Sequence, residues 1–430
     1  MVSGSIGFMI ICTALVLLMT PALAFFYGGL VRRKNVLNTM MATMFIVGTA
    51  IVMWILFGYS FSFGDDCGGF IGGFNFLGFE NVSINESTRG LEIPDMLFAA
   101  FQMMFAVITP ALITGAVAGR MKFKALIPFI CLWTLVVYYP LAHMVWGGGF
   151  MGNAPENGGS GLFGTGLYLN SVDFAGGNVV HISSGVTGLV LAIIIGKRRE
   201  YERSAYTPHN IPFVLLGAAF LLFGWFGFNA GSALAANGIA VHAFITTAVS
   251  AAAALISWMA IDIIKTGKPT MVGCSTGLVV GLVAITPGAG FVPVWASIII
   301  GLLVSPICYF GVHLVKKVLK IDDALDAFGC HGIGGIWGGL ATGLFGVTSL
   351  NGTETGAKWN GLVFGDWHLF LAQFESIVVT IIVAVVGTLI CAGIVKLFAK
   401  KLRVSEMDER VGLDMTQHGE RAYPSFDGLD

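Results

Sequence analysis

Apolar residues fill this chain in long blocks, each closed by a short polar segment. Eleven blocks of about 20 residues or more lie near 5–31, 36–63, 94–119, 123–147, 173–196, 209–230, 235–264, 270–287, 291–316, 326–348 and 368–399. About 20 apolar residues in a helix cross a hydrocarbon core about 30 Å thick. The pattern therefore predicts an all-α membrane protein with eleven transmembrane helices. Of 430 residues, 56% are hydrophobic and 11% charged, far from the soluble average of roughly a quarter charged. The 59 glycines are nearly twice the usual share of about 7%, and small residues let membrane helices approach closely.

The basic residues orient the blocks. Of 23 Lys and Arg, 21 follow odd-numbered spans or lie in the C-terminal segment, including Arg32, Arg33 and Lys34, then Arg120, then Lys197 to Arg203. Only Arg89 and Lys358 fall in even-numbered loops. Basic loops stay cytoplasmic, so the N-terminus is expected outside and the C-terminus inside, as an odd number of spans requires. Ala22-Leu23-Ala24 has the look of a signal cleavage site, but the first basic cluster follows the apolar run instead of preceding it. The first span is expected to be retained. Seven cysteines without close pairs predict neither a disulfide framework nor a zinc site. Sequons at Asn81, Asn85 and Asn351 fall in predicted outer loops, where polar composition explains them as well as glycosylation does.

Two spans carry one further pattern, an aspartate and then a histidine after seven intervening residues: Asp173 with His181, and Asp323 with His331. Spans 1–5 and 6–10 make two five-span units of opposite direction, with the pattern in the fifth span of each and span 11 left over as an extra surface helix. At about 1.5 Å per residue each histidine lies roughly 12 Å beyond its aspartate. Entering from opposite sides of a core about 30 Å thick, the two rings are expected within about 6 Å of the same depth. An aspartate at a helix start also serves as an N-cap, which is reason enough for Asp173 and Asp323 to be there. Two histidines deep in a membrane are functional candidates. They could ligate a metal, although no His-x-x-x-His or Cys-x-x-Cys spacing supplies further ligands. Alternatively they form an imidazole pair in a narrow apolar channel, where burial and mutual repulsion oppose charging both rings. Such a pair provides a donor, an acceptor and a proton relay.

The run Asp173 to His181, continued by Ile182-Ser183-Ser184-Gly185, resembles a signature of the ammonium transporter (Amt/Mep/Rh) family, prokaryotic Amt type. Phe101-Gln102-Met103-Met104-Phe105-Ala106, Trp146-Gly147-Gly148-Gly149, Gly224 to Ser232 and Phe328-Gly329-Cys330-His331-Gly332 resemble its other motifs, in order and over nearly the whole chain. The resemblance implies an outer cation site of Phe105, Trp146 and Ser232 with Phe101 beside it, and a gate made by Phe105 and Phe228. It implies that Asp173 stabilises the arriving cation and that His181 and His331 line the pore. Aromatic faces attract a cation by roughly 0.5–2 kcal/mol, whereas an isolated buried charge costs tens of kcal/mol. The ion, or its analogue methylammonium, is therefore expected to bind outside, lose its proton at the gate and cross as ammonia. Whether the proton follows is left open.

Two domains are expected: a transport domain over 1–403 and a cytoplasmic regulatory tail over 404–430, with a capping-box-like start at Ser405 and Asp408. The resemblance implies a multi-pass homotrimer in the cell membrane, with a PII-type signalling protein at the cytoplasmic face. No cofactor, no resident metal, no nucleic-acid partner and no enzymatic activity are expected. An ammonium sensor with little flux and a Rh-like gas channel remain as alternatives. Glu375 in the last span receives no role, a hydrogen-bonded structural one being favoured over transport. Pro110 is expected to kink the third span and free a carbonyl.

Overall fold

The computed structural model describes residues 1–154, 161–202, 207–351 and 356–423. Arg203, the second and third positions of the Asn351 sequon and tail residues 424–430 lie outside them. The helices in chain order are α1 (Ser3–Leu30), α2 (Val36–Met53), α3 (Tyr59–Phe63), α4 (Asp95–Val117), α5 (Phe123–Trp133), α6 (Tyr139–Trp146) and α7 (Ser183–Ile195). Then follow α8 (Ile211–Gly231), α9 (Gly238–Thr266), α10 (Met271–Ile285), α11 (Val294–His313), α12 (Ile333–Phe345), α13 (His368–Ala399) and α14 (Glu406–Val411). Single π-helical turns join α2 to α3 and α5 to α6, and precede α7 (Gly177–Ile182) and α12 (Phe328–Gly332). An antiparallel hairpin of β1 (Asp66–Cys67) and β2 (Ile71–Gly72) lies in the loop after α3.

Among the described residues, nine helical spans are long and apolar enough to cross a membrane. Two of the eleven apolar blocks do not reach that length as single regular helices. α10 has 15 residues, roughly 22 Å at about 1.5 Å per residue, and α12 has 13 behind its five-residue π turn. Both are packed inside the bundle, where irregular backbone is tolerated.

Glycines set the tightest helix contacts. Along α8, a Cβ on Gly217 would run into the backbone of Ala22 and Phe26, one on Gly224 into Met19, and one on Gly227 into Cys12 and Leu15, all on α1. A second close approach joins Gly185 of α7 to Gly332 at the start of α12, where an added Cβ would strike the Gly332 backbone. α4 runs on through Pro110 as one helix. α13 buries Gln373, Ser376, Thr380 and Thr388 and turns Phe374, Ile382, Val386 and Leu389 outward. Glu375 lies on that outward face with no hydrogen-bond partner among the described residues.

The chain beyond α13 folds back onto the basic ends of the helices. Ser405 and Asp408 close a capping box on α14, the hydroxyl accepting from Asp408 N at 3.1 Å and the carboxylate from Ser405 N at 3.0 Å. Asp414 accepts from Asn38 N at 2.8 Å, and Leu413 N donates to Asn35 Oδ1 at 2.9 Å. Arg403 pairs with Glu409 at 2.7 Å.

Candidate functional site

Each Asp-x7-His segment is built on its aspartate. Asp173 Oδ1 accepts from the N–H of Gly176 at 2.8 Å and of Gly177 at 2.6 Å, while Oδ2 accepts from Asn178 at 2.7 Å and Val179 at 3.3 Å. These are the orphan donors of a helix start, which a carboxylate satisfies best. The chain can make this turn because Gly176 takes φ +118°, a conformation that costs glycine little. Asp323 does the same for the second segment, accepting from Ala327 at 3.1 Å, Phe328 at 2.8 Å and Gly329 at 3.4 Å. The capping reading of both aspartates is therefore met in the geometry, alongside whatever else they do.

Both caps lead into π turns that carry the histidines, and the close Gly185–Gly332 contact draws the segments together. His181 and His331 are buried, with ring centroids 5.3 Å apart at an interplanar angle of 23° and Nδ1 atoms separated by 3.3 Å. At that spacing one Nδ1 carries a hydrogen and the other accepts it, so the rings adopt complementary tautomers. Nε2 of His181 is buried without a protein partner. The residue lines a small cavity of about 20 Å³, together with His331, Phe228, Trp225, Leu112 and Val279. That is room for roughly one water-sized molecule. Trp225 stacks on His181 at 5.4 Å and is anchored through Nε1 to Thr286 Oγ1 at 2.9 Å. Among the described residues no cluster of three or more His, Cys, Asp or Glu is placed to hold a metal.

A wider cavity of about 440 Å³ lies on the Asp173 side, lined among others by Gln102, Phe105, Trp146, Asp173 and Ser232. Trp146 stands edge-on to Phe105 with centroids 5.9 Å apart and donates Nε1–H to the Asp173 carbonyl at 2.8 Å. Ser232 Oγ donates to the Phe228 carbonyl at 2.9 Å. With its proton committed there, the hydroxyl presents lone pairs and works as an acceptor. Phe105 and Phe228 stack at 4.3 Å and 27°. Phe105 lines the wide cavity and Phe228 the small one, so this ring pair is the partition between them. Phe101 is fully buried behind Phe105, at 5.0 Å between centroids, and does not line either cavity.

Several supporting residues carry no motif. Gln373 of α13 brackets Val172, accepting from its N–H at 2.8 Å and donating to its carbonyl at 2.9 Å. Ser376 one turn on accepts from Asn178 Nδ2 at 3.1 Å. The span expected to be a mere surface addition thus braces the Asp173 segment. The signal was available in principle, as a lone amide and a serine three positions apart on an otherwise apolar stretch. Behind Asp323 stands a different arrangement. Asp322 is buried between Arg120, at 2.6 Å, and Arg198, at 2.6 Å, and also accepts from Arg198 N at 2.7 Å. Burial pushes its carboxyl up, but the two guanidinium groups outweigh this and hold it below the ordinary value.

A sequence model described as the Ammonium Transporter Family matches residues 7–423. An ammonium transporter from Bacillus subtilis (strain 168) is 48% identical over 420 residues, covering 98% of each chain. Ammonium transporter Amt1 from Archaeoglobus fulgidus is 44% identical, covering 98% of this chain and 100% of its own. Among solved structures, the crystal structure of Saccharomyces cerevisiae Mep2 aligns with a TM-score of 0.84 at 33% identity, over 100% of this chain and 93% of that one. A sensor Amt protein aligns with a TM-score of 0.84 at 26% identity, over 96% and 98%. With its long apolar helices the protein is a multi-pass protein of the cell membrane, and the match across nearly its whole length means that the chain belongs to the Ammonium Transporter Family.

Proposed function

We propose that this protein carries ammonium across the cell membrane by binding the ion in the wide cavity, removing a proton and passing ammonia through the histidine cavity. The observation that carries the reading is the Phe105–Phe228 partition, with about 440 Å³ of partly polar space on one side and about 20 Å³ of nearly apolar space on the other. A cation is favoured on the first side. Phe105 and Trp146 offer π faces, worth roughly 0.5–2 kcal/mol to a cation, and Ser232 offers an acceptor. Phe101 supports Phe105 from behind. The Asp173 carboxylate, though engaged by backbone, adds negative charge at the cavity wall. On the second side an intact ion meets the cost of burial, tens of kcal/mol without compensation, and only a neutral molecule passes cheaply. His181 Nε2, without a partner of its own in the protein, gives ammonia a polar contact as it crosses. Potassium has no proton to shed, which gives selectivity a chemical basis.

The wide cavity then faces outward and the basic helix ends face the cytoplasm. On this reading the N-terminus is outside and the C-terminus inside, with eleven crossings in two inverted five-span units and α13 as the eleventh. Residues 1–403 form the transport domain and 404–430 the tail. The reading extends to a homotrimer and to a PII-type protein docking at the tail. A sensor with little flux is the second reading, favoured by the likeness to the sensor Amt protein.

Reconstitution in liposomes tests both. Ammonium-evoked current and methylammonium uptake are expected from the wild type and are expected to collapse in His181→Ala, His331→Ala and Asp173→Ala. Binding without flux selects the sensor, and wild-type potassium currents as large as those of ammonium sink the deprotonation argument.

A further inference from the structure

A third cavity, of about 240 Å³, lies at the opposite end of the molecule from the wide one, where α1, α4, α7 and the π turn after α11 end against the tail. Seven basic side chains line it against three acidic ones. Three of the seven are engaged by carboxylates: Arg32 by Glu200, Arg198 by the buried Asp322 at 2.6 Å, and Lys316 by Asp326 at 2.6 Å. These pairs fix the wall. The other four have no carboxylate partner among the described residues, against one acidic wall residue, Glu202, that makes no ion pair either. Lys34 donates only to neutral carbonyls, those of Glu409 at 2.9 Å and Arg410 at 2.6 Å. The side chains of Arg199, Lys317 and Arg410 make no ion pair among the described residues.

Like charges gathered in a concave site focus a field that draws counter-ions. The guanidinium fork matches phosphate oxygens in pairs, and a volume of about 240 Å³ falls below the roughly 300–1,000 Å³ of drug-sized pockets. We propose that this cavity binds a multiply charged phosphate group, either a small soluble phosphate or the headgroup of an anionic lipid. The site spans two parts of the chain, because Arg199 and Lys317 belong to the helical body while Glu409 and Arg410 belong to the tail. A bound phosphate therefore ties the tail to the body, and ligand that binds only the docked form stabilises it by mass action.

The test uses the full chain, first in detergent with inorganic pyrophosphate, then in phosphatidylcholine nanodiscs with and without phosphatidic acid. Thermal unfolding and the rate of tryptic cleavage of the tail are read at constant ionic strength, with potassium chloride as the control, since simple salt only screens. Pyrophosphate is expected to raise the unfolding temperature and slow tail cleavage in a saturable way. Arg199→Gln, Lys317→Gln and Arg410→Gln are each expected to weaken the response roughly two- to fivefold, as exposed charge pairs do, and the triple variant by about tenfold or more. A response confined to phosphatidic acid nanodiscs assigns the site to a lipid headgroup. No response beyond chloride with either probe, or an unchanged response in the triple variant, overturns the proposal. Should the triple variant fail to fold, Arg410→Gln alone decides, and an affinity equal to wild type overturns it. None of these measurements requires transport, so their failure leaves the transport reading standing.

Discussion

Asp173 and Asp323 each cap a π turn that carries a buried histidine, and each spends its carboxylate on backbone N–H groups at the start of that turn. Three residues on, both segments bend through positive φ, +118° at Gly176 and +60° at Asp326. There the likeness stops. Asp173 lies against the wide cavity, beside the indole of Trp146 and the brace of Gln373. Asp323 follows an aspartate clamped between Arg120 and Arg198, and its bend residue is a second carboxylate, paired with Lys316. The cap is a shared framework that places a histidine, while the neighbours decide what the aspartate's charge can act on. One segment offers it to a cavity; the other sets it beside a cluster of ion pairs, Asp322 with two arginines and Asp326 with Lys316.

The comparison breaks most visibly by removing the charge alone. Asp173→Asn keeps an acceptor oxygen for the cap but no anion at the cavity wall, and a hydrogen bond to a charged group is worth about 1.5–3 kcal/mol. Ammonium uptake is expected to fall by roughly 30-fold or more in proteoliposomes. Asp323→Asn weakens the same kind of cap but removes no charge from the wide cavity, so it is expected to lower the unfolding temperature comparably while costing clearly less in uptake. Equal losses at the two positions would abolish the distinction. Gly185→Val strikes both segments together, since its side chain would displace the Gly332 backbone. Overpacking costs about 1–3 kcal/mol, so the unfolding temperature should drop and uptake should fall with it. Retention of full uptake would show that the 3.3 Å approach of the two imidazoles is dispensable.

Much of this was legible because it is local. A block of about 20 apolar residues reads as a membrane helix whatever surrounds it, and an aspartate at a segment start reads as a cap. Matched Asp-x7-His spacing foretold two rings at one depth, and the rings meet. What was hidden depends on partners far along the chain. The π turns at Gly177–Ile182 and Phe328–Gly332 have no periodicity of their own, because one extra residue per turn is stabilised by packing, not by composition. The shortness of α10 was masked by apolar flanks that extend the block without continuing the helix. Phe101 shares a motif and a helix face with Phe105, one turn away, yet its ring packs against Gly231 of α8 and does not line the cavity. Gln373 lies 201 positions from the residue it holds, a distance over which no local pattern speaks.

Smaller changes sharpen the contrast further. Gln373→Leu removes both hydrogen bonds to Val172 and leaves two buried backbone groups unpaired, at about 1–3 kcal/mol. It touches only the Asp173 side, so uptake should fall while tryptic cleavage of the tail, at the other end of the molecule, keeps its wild-type rate. A change in tail cleavage would show that the two ends are coupled through α13.

The smallest effect belongs to pH, and it concerns only the Asp323 end. Among the described residues no guanidinium pairs with Asp173, whereas Asp322 has two. Burial raises its carboxyl, but Arg120 and Arg198 together bring it below the ordinary 3.8. A carboxylate lowered on folding binds its proton more weakly in the native state than in the unfolded one. Its contribution to stability is therefore complete above the unfolded value, near about pH 4, and is lost as pH falls through the native value. Asp322→Asn removes that contribution at every pH. Thermal unfolding in detergent should thus show a lower plateau near neutrality for the variant and a shallower decline on the acid side than for the wild type. If the two profiles fall in parallel with acid, the Arg120–Asp322–Arg198 cluster gives the Asp323 end no electrostatic character that the Asp173 end lacks, and the difference between the segments reduces to the cavity alone.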